Sequence, residues 1–379
     1  MEAFKIKNGL QAGRYLGSNG TETAGTVGYN LAGASYDSVS FSVASQDAGP
    51  RAIAFKSDGT KLYHAGTTND TIYQYSLSTA WDVSTASYDS VSFSVASQGQ
   101  PTGLVFKSDG TKFYLSENNT SSVYQYSLST AWDMSTASYD SVSFSVASQG
   151  LYPHDVVFKS DGSSMYVYTS SDETMYQYTL STAWDLSTSA YASRNYAFAN
   201  AEDASPEGMD ISEDGTKFYM VGRTTDSVYQ YTLSTAWDIS TASYDNVLLN
   251  ISSQDTDPYN TVFGNSGQKL YAAGNTTDTI FQYSTVAYTQ TLDLATGTTF
   301  SFTPSGATTV SFTNPPASGN AIGFSVEING DGSAITWPSS VKWHGGAAPT
   351  ATASKELYVF VSTDGGTTYY GKKVAEEIA

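Results

Sequence analysis

The sequence predicts an all-β chain: a five-bladed β-propeller with four-stranded blades and a one-plus-three closure, followed by a small C-terminal β-sandwich. Three observations predict it. The stretch Tyr73-Gln74-Tyr75-Ser76-Leu77-Ser78-Thr79-Ala80-Trp81-Asp82 returns at 124–133, 176–185 and 229–238, almost letter for letter. The turn glycines Gly59, Gly110, Gly162, Gly215 and Gly267 recur every 51 to 53 residues, and each interval holds four short apolar runs. Four strands at such a period read as a propeller blade. Finally, Tyr and Phe are abundant (29 and 17), and no long segment carries a helical apolar period.

The blade is read from its strands in order. Residues 36–43, Tyr36-Asp37-Ser38-Val39-Ser40-Phe41-Ser42-Val43, alternate apolar and small polar side chains, the pattern of a half-buried strand, called d here. It recurs at 88–95 and 139–146, with looser copies at 191–198 and 244–251. A variable loop with one proline follows: Pro50, Pro101, Pro153, Pro206 and Pro258. Next comes a continuous apolar run such as Ala52-Ile53-Ala54-Phe55, which fits a strand covered on both faces, strand a. Lys56-Ser57-Asp58-Gly59-Thr60-Lys61 is a tight hairpin in which Gly59 supplies positive φ. Leu62-Tyr63 begins strand b, and a second variable loop leads to the repeated stretch, strand c.

The ends of the array predict its closure. It begins with a d strand and finishes with an a-b-c triplet near Tyr283. An open row would leave both pieces as exposed sheet edges. Closing the ring lets the first d strand complete the last blade. The predicted domains are an attachment segment at 1–34, the propeller at 35–285 and the sandwich at 286–379. Phe4, Ile6, Leu10, Tyr15 and Leu16 of the first segment could form one or two short strands, but alone they could not bury a core.

Composition limits the function. With 36 acidic and 17 basic residues the formal charge is -19. This argues against nucleic acid or an anionic membrane as partner. There is no cysteine, hence no disulfide or thiol chemistry, and no apolar run long enough for a membrane span. A Ser-, Thr- and Tyr-rich β protein without an export signal suits synthesis in a bacterial cytoplasm and release by lysis within a virion.

Pro101-Thr102-Gly103-Leu104-Val105-Phe106-Lys107-Ser108-Asp109-Gly110-Thr111-Lys112-Phe113-Tyr114 resembles the repeat of YVTN-type and related lactonase-like propellers. That resemblance covers the first two strands of each blade and implies fold only. Gln290-Thr291-Leu292-Asp293-Leu294, Phe312-Thr313-Asn314-Pro315-Pro316, Ile335-Thr336-Trp337-Pro338 and Thr363-Asp364-Gly365-Gly366-Thr367-Thr368-Tyr369-Tyr370-Gly371 resemble the β-domain that ends many tailed-phage fibre and other virion proteins. Phe4-Lys5-Ile6-Lys7-Asn8-Gly9-Leu10 is similar to openings of marine-phage structural proteins. Together they imply a virion component of tail-fibre or appendage type, binding other virion proteins and a host-surface glycan or receptor, and in some cases forming a homotrimer. A capsid decoration or head-fibre protein has the same composition. A polysaccharide-degrading virion enzyme needs a carboxylate pair at catalytic separation.

Propeller geometry sorts the loops. The a–b and c–d turns share one face and barely vary. The d–a and b–c loops share the other and differ in every copy. After each proline stand Arg51, Thr102, His154, Glu207 and Tyr259, five chemical types at one structural position, which should ring the mouth of the channel. With Tyr152 they form the candidate glycan- or receptor-binding set, the tyrosines serving as an aromatic platform. Drift in unconstrained loops is the competing reading. Trp81, Trp132, Trp184 and Trp237 are expected to pack between blades, with the closing blade lacking one, and the aspartates after them to cap turns. Asp47, Glu202, Asp203, Glu207, Asp255 and Asp257 lie in variable loops without a calcium-loop motif. The three histidines, His64, His154 and His344, fall in separate contexts, so neither a histidine metal site nor a Ser-His-Asp triad is expected. No catalytic residue, metal or cofactor is expected, and the chain is read as a non-enzymatic display protein.

Overall fold

The computed structural model describes residues 21–24, 29–198, 202–285, 288–304, 308–330 and 335–376. The chain divides into two compact units: 27–285, and 1–26 together with 286–379. Phe4, Ile6, Leu10, Tyr15 and Leu16, expected in one or two short strands, lie outside the described residues.

The larger unit is a five-bladed propeller of four-stranded antiparallel sheets. Strands a to d of the first blade are Pro50–Phe55, Lys61–Gly66, Thr71–Leu77 and Ala86–Ser94. The a strands touch in ring order, the fifth returning to the first. In the fifth blade the d strand is Ser35–Ser42, pairing Tyr36 with Tyr283 and Phe41 with Ile280 across the chain's long span. The one-plus-three closure is present.

Closure reaches further upstream than residue 35. In four blades the c–d turn runs through a tryptophan at positive φ, then an aspartate whose side chain accepts the N–H two residues on, as Ser84 to Asp82 at 3.0 Å, then a one-turn 3-10 helix. Tyr29, Asn30 and Leu31–Gly33 build the same turn for the fifth blade: Tyr29 has φ 69, and Asn30 accepts from Ala32. Tyr29 therefore takes the tryptophan's place in the closing blade. The expected boundary at residue 34 moves upstream, since the sequence Tyr-Asn-Leu-Ala-Gly shares almost no letters with Trp-Asp-Val-Ser-Thr.

The repeated Tyr-Gln-Tyr of strand c bolts neighbouring blades together. The Gln74 amide donates to Asp89 of its own blade at 2.8 Å and accepts the Met134 N–H of the next at 2.9 Å. Gln125, Gln177, Gln230 and Gln282 likewise accept from Leu186, Ile239, Leu31 and Val83. Strand b adds a second link: Tyr63 donates to the Trp132 carbonyl at 2.7 Å and Tyr271 to that of Trp81 at 2.6 Å. Asp89 faces inward because strand d bulges at Ser90, which has φ 58. Each such aspartate also meets a lysine opening strand b, as Lys61 to Asp89 at 3.0 Å, except in the third blade, where Ser164 and Ala192 stand instead.

In the smaller unit, two sheets share one core. Tyr288–Asp293 and Thr308–Thr313 pair in parallel, and Thr21–Ala24 adds an antiparallel edge strand. The second, five-stranded sheet includes Ile322–Asn329, Lys355–Ser362 and Tyr369–Glu376. Leu292, Val310, Phe324, Val326, Trp337, Tyr358 and Phe360 are buried between the two. Both described ends of the chain thus contribute to this β domain. Among the described residues no helix is long and apolar enough to cross a membrane.

Candidate functional site

The site is built where the d–a loops deliver their prolines to the start of strand a, at one end of the channel. Glu207 is its centre. It is 3% exposed, and its carboxylate receives His154 Nδ1 at 2.5 Å, Arg51 Nη1 at 3.4 Å and Arg223 Nη1 at 3.5 Å. Burying a carboxylate is costly unless it is paired and hydrogen-bonded, and here three blades supply the partners. Tyr259, from the fifth blade, has the Arg51 guanidinium carbon 3.5 Å from its ring centroid and that of Arg223 at 4.7 Å. Burial raises the Tyr259 phenol pKa although both guanidinium groups pull it down. Burial opposes the Arg223 charge, but Tyr259, Asp257 and Glu207 outweigh it and raise that pKa. Arg223 Nε donates to Asp257, whose other oxygen accepts from Asn275 at 2.7 Å.

Four of the six residues named from the sequence therefore meet: Arg51, His154, Glu207 and Tyr259. Tyr259 is no open platform, because it is 7% exposed and carries the two arginines. Thr102 is buried. Its hydroxyl donates to the Pro153 carbonyl at 2.6 Å, stapling the second blade to the third. Tyr152 stands apart on the rim, 50% exposed at φ 58, beside Leu151 at 43%. Arg223 was missed. Its signal was legible: it is the basic residue at a b–c loop position otherwise held by Thr67, Asn118, Ser170 and Asn275.

The loop carboxylates divide. Asp47, Asp203 and Asp255 are 2–3% exposed, and each accepts two N–H groups of its own blade's b–c turn, as Asp47 does from Thr68 at 3.1 Å and Asn69 at 2.9 Å. Glu117 does the same in the second blade. These are turn caps. Glu202 offers its backbone carbonyl to Tyr229 at 2.7 Å.

Below the mouth a cavity of about 60 Å³ is lined partly by Asp155, Asp210 and Asn260. Asp155 accepts from Val156, from Met209 of the next blade and from Asn260, each at 2.8 Å. Asp210 accepts from Ile211 at 2.8 Å and Phe263 at 2.7 Å. Asn260 in turn accepts from Ile53 at 3.2 Å. These side chains satisfy inner-strand N–H groups that face the channel without a sheet partner. Enclosure raises the pKa of Asp155 to about 8 and of Asp210 to about 7. Among the described residues no group of three His, Cys, Asp or Glu side chains is placed to hold a metal ion.

On the opposite face the tryptophans are structural. Trp81 packs on Phe55 with ring centroids 5.6 Å apart, and Trp132 lies against Phe106 of its own blade at 5.2 Å and Tyr63 of the preceding one at 6.5 Å.

No protein-family model matches the chain, and no curated protein matches it at a significant level. Among solved structures it is similar to a candidate 6-phosphogluconolactonase from Bacteroides uniformis: 14% identity, TM-score 0.42, covering 63% of this chain and 67% of that one. It is also similar to the periplasmic gluconolactonase of Pseudomonas aeruginosa, at 14% identity and TM-score 0.41 over 62% of this chain and 66% of that one. A protein from Lactobacillus plantarum is similar at 15% identity and TM-score 0.41, over 62% and 67%. The chain thus spans about two thirds of the length of these neighbours.

Proposed function

We propose that this chain is a virion structural protein, of tail-fibre or appendage type, whose propeller recognises a host-surface glycan or receptor at the mouth of its channel. The observation that carries the recognition role is the contrast between the two ends of the ring. One end repeats nearly the same residues from blade to blade and spends them on blade-to-blade bonds. At the other, chemically different residues at equivalent positions, Arg51, His154, Glu207 and Tyr259, converge with Arg223 on one spot. The virion setting rests on the resemblance of the C-terminal β-domain and on composition. The protein acts by rigid display and multivalent contact, in which several weak contacts per particle reinforce one another.

The test is adsorption. Alanine at Arg51, Glu207 and Tyr259 together should abolish attachment to host cells, and unchanged adsorption would sink the recognition role. Electron microscopy of the intact particle assigns the chain to tail or head. Reducing-sugar release from host polysaccharide would replace the display reading with a hydrolytic one.

A further inference from the structure

The donors and acceptors at the mouth do not balance. Both oxygens of Glu207 are taken by Arg51, Arg223 and His154, and both oxygens of Asp257 by Arg223 and Asn275. Every carboxylate oxygen of the cluster is thus engaged within the protein. The donors are not. A guanidinium offers five N–H groups. Among the described residues Arg51 uses one of them and Arg223 uses two, while His154 has already given its Nδ1–H to Glu207. These three side chains remain 23%, 37% and 17% exposed. A ligand seated here must bring acceptors, and a planar carboxylate is the group that matches a guanidinium fork.

The charge around the mouth narrows the class. The propeller's lysines stand in the a–b turns (Lys56, Lys107, Lys159) or open strand b (Lys61, Lys112, Lys217, Lys269), all toward the uniform face. Arg51 and Arg223 are the basic pair gathered at the variable end, and Asp70, Asp226 and Asp278 sit in the b–c turns around them. Burial raises Asp70 and Asp226, and the carboxylates near each add to it. Such a rim repels a polyanion and admits a single charge at the centre.

We infer that the mouth takes a sugar residue bearing one carboxylate, held by Arg51 and Arg223, and leaves the saccharide body to the exposed Tyr152. This rests on the recognition role proposed above and names its ligand class.

The experiment is titration of the purified full chain with D-galacturonate, N-acetylneuraminate and neutral D-galactose by ligand-observed NMR, beside a printed array of acidic, neutral and sulfated glycans. The acidic monosaccharides should bind and galactose should not. Arg223→Gln should weaken the acidic ligand about tenfold or more, the worth of a charge-assisted hydrogen bond. Arg223→Lys, which keeps the charge without the fork, should weaken it less and serves if the glutamine variant does not fold. Asp257→Asn removes the charge that holds Arg223 Nε, and should tighten binding, the opposite of what loss of a merely structural residue would do. Equal binding of galactose and galacturonate, indifferent to Arg223, overturns the carboxylate inference and leaves recognition standing. Preference for sulfated polyanions overturns it too. No binding to any probe or array glycan overturns this inference, while adsorption of the triple alanine variant decides the recognition role separately.

Discussion

The side-chain oxygen of Gln230 accepts the backbone N–H of Leu31 at 2.8 Å, across 199 positions of chain. The same bond joins each pair of neighbouring blades, and here it joins the fourth blade to the fifth through the start of the chain. Gln230→Ala leaves that buried N–H unsatisfied and should cost about 1–3 kcal/mol. Leu31→Ala, which removes a side chain 2% exposed, should cost roughly 2–5 kcal/mol. Chemical denaturation measures both. If neither shifts the midpoint, residues 29–34 are not part of the closure.

Gly59 is needed for two reasons at once. It has φ +73, and a Cβ there would lie 2.3 Å from the Trp81 ring. Gly319 has φ +88 with nothing within 4 Å. Gly319→Ala should therefore cost only the backbone strain, of order 1–2 kcal/mol. Gly59→Ala should cost distinctly more, because the indole must also leave its seat. Equal melting midpoints would show that the tryptophan contact contributes nothing.

Stability should fall as pH rises through neutrality. Asp155 and Asp210 have folded pKa values of about 8 and about 7, against about 3.9 in an unfolded chain. The folded protein therefore holds protons that the unfolded chain has released, and this contribution is full below about pH 4 and lost as pH climbs through 7 to 8. Carboxyl groups lowered by their partners, such as Asp109 at about 2, act in the other direction and only in acid. Melting between pH 5 and 8.5 checks the slope, and the Asp155→Asn, Asp210→Asn double variant should flatten it.

Thr102 and the Glu207 cluster should separate in their effects. Thr102→Val removes a buried hydroxyl from the Pro153 carbonyl and should cost about 1–3 kcal/mol without altering ligand affinity. Arg51→Ala should do the reverse, because Arg223 and His154 still pair with Glu207. Paired melting and binding measurements distinguish the two.

Much of the ring was legible because repetition makes one chain its own comparison. Five prolines, five turn glycines and four Trp-Asp turns mark the strands and turns, and the unmatched d strand at the front announces closure. The fifth turn was not legible. Tyr29 and Asn30 share geometry with Trp81 and Asp82 but not identity, since a left-handed aromatic followed by a short acceptor meets the requirement. Nor was the role of the strand-c glutamines legible, because their partners stand about 60 positions away, or 199 away at the ring's closure.

The five residues after the prolines were singled out by their disagreement, and local sequence determined that they begin the inner strands. Only the tertiary structure decided what each does there. A ring of five brings inner strands from non-adjacent blades within hydrogen-bond reach, as Asn260 reaches Asp155 at 2.8 Å. In so narrow a centre Glu207 can collect a histidine and two arginines from three blades, while Thr102, at the equivalent position, turns into the wall. Sequence periodicity fixes the position of a side chain along its strand; which neighbours it meets across the channel depends on the radius of the closed ring.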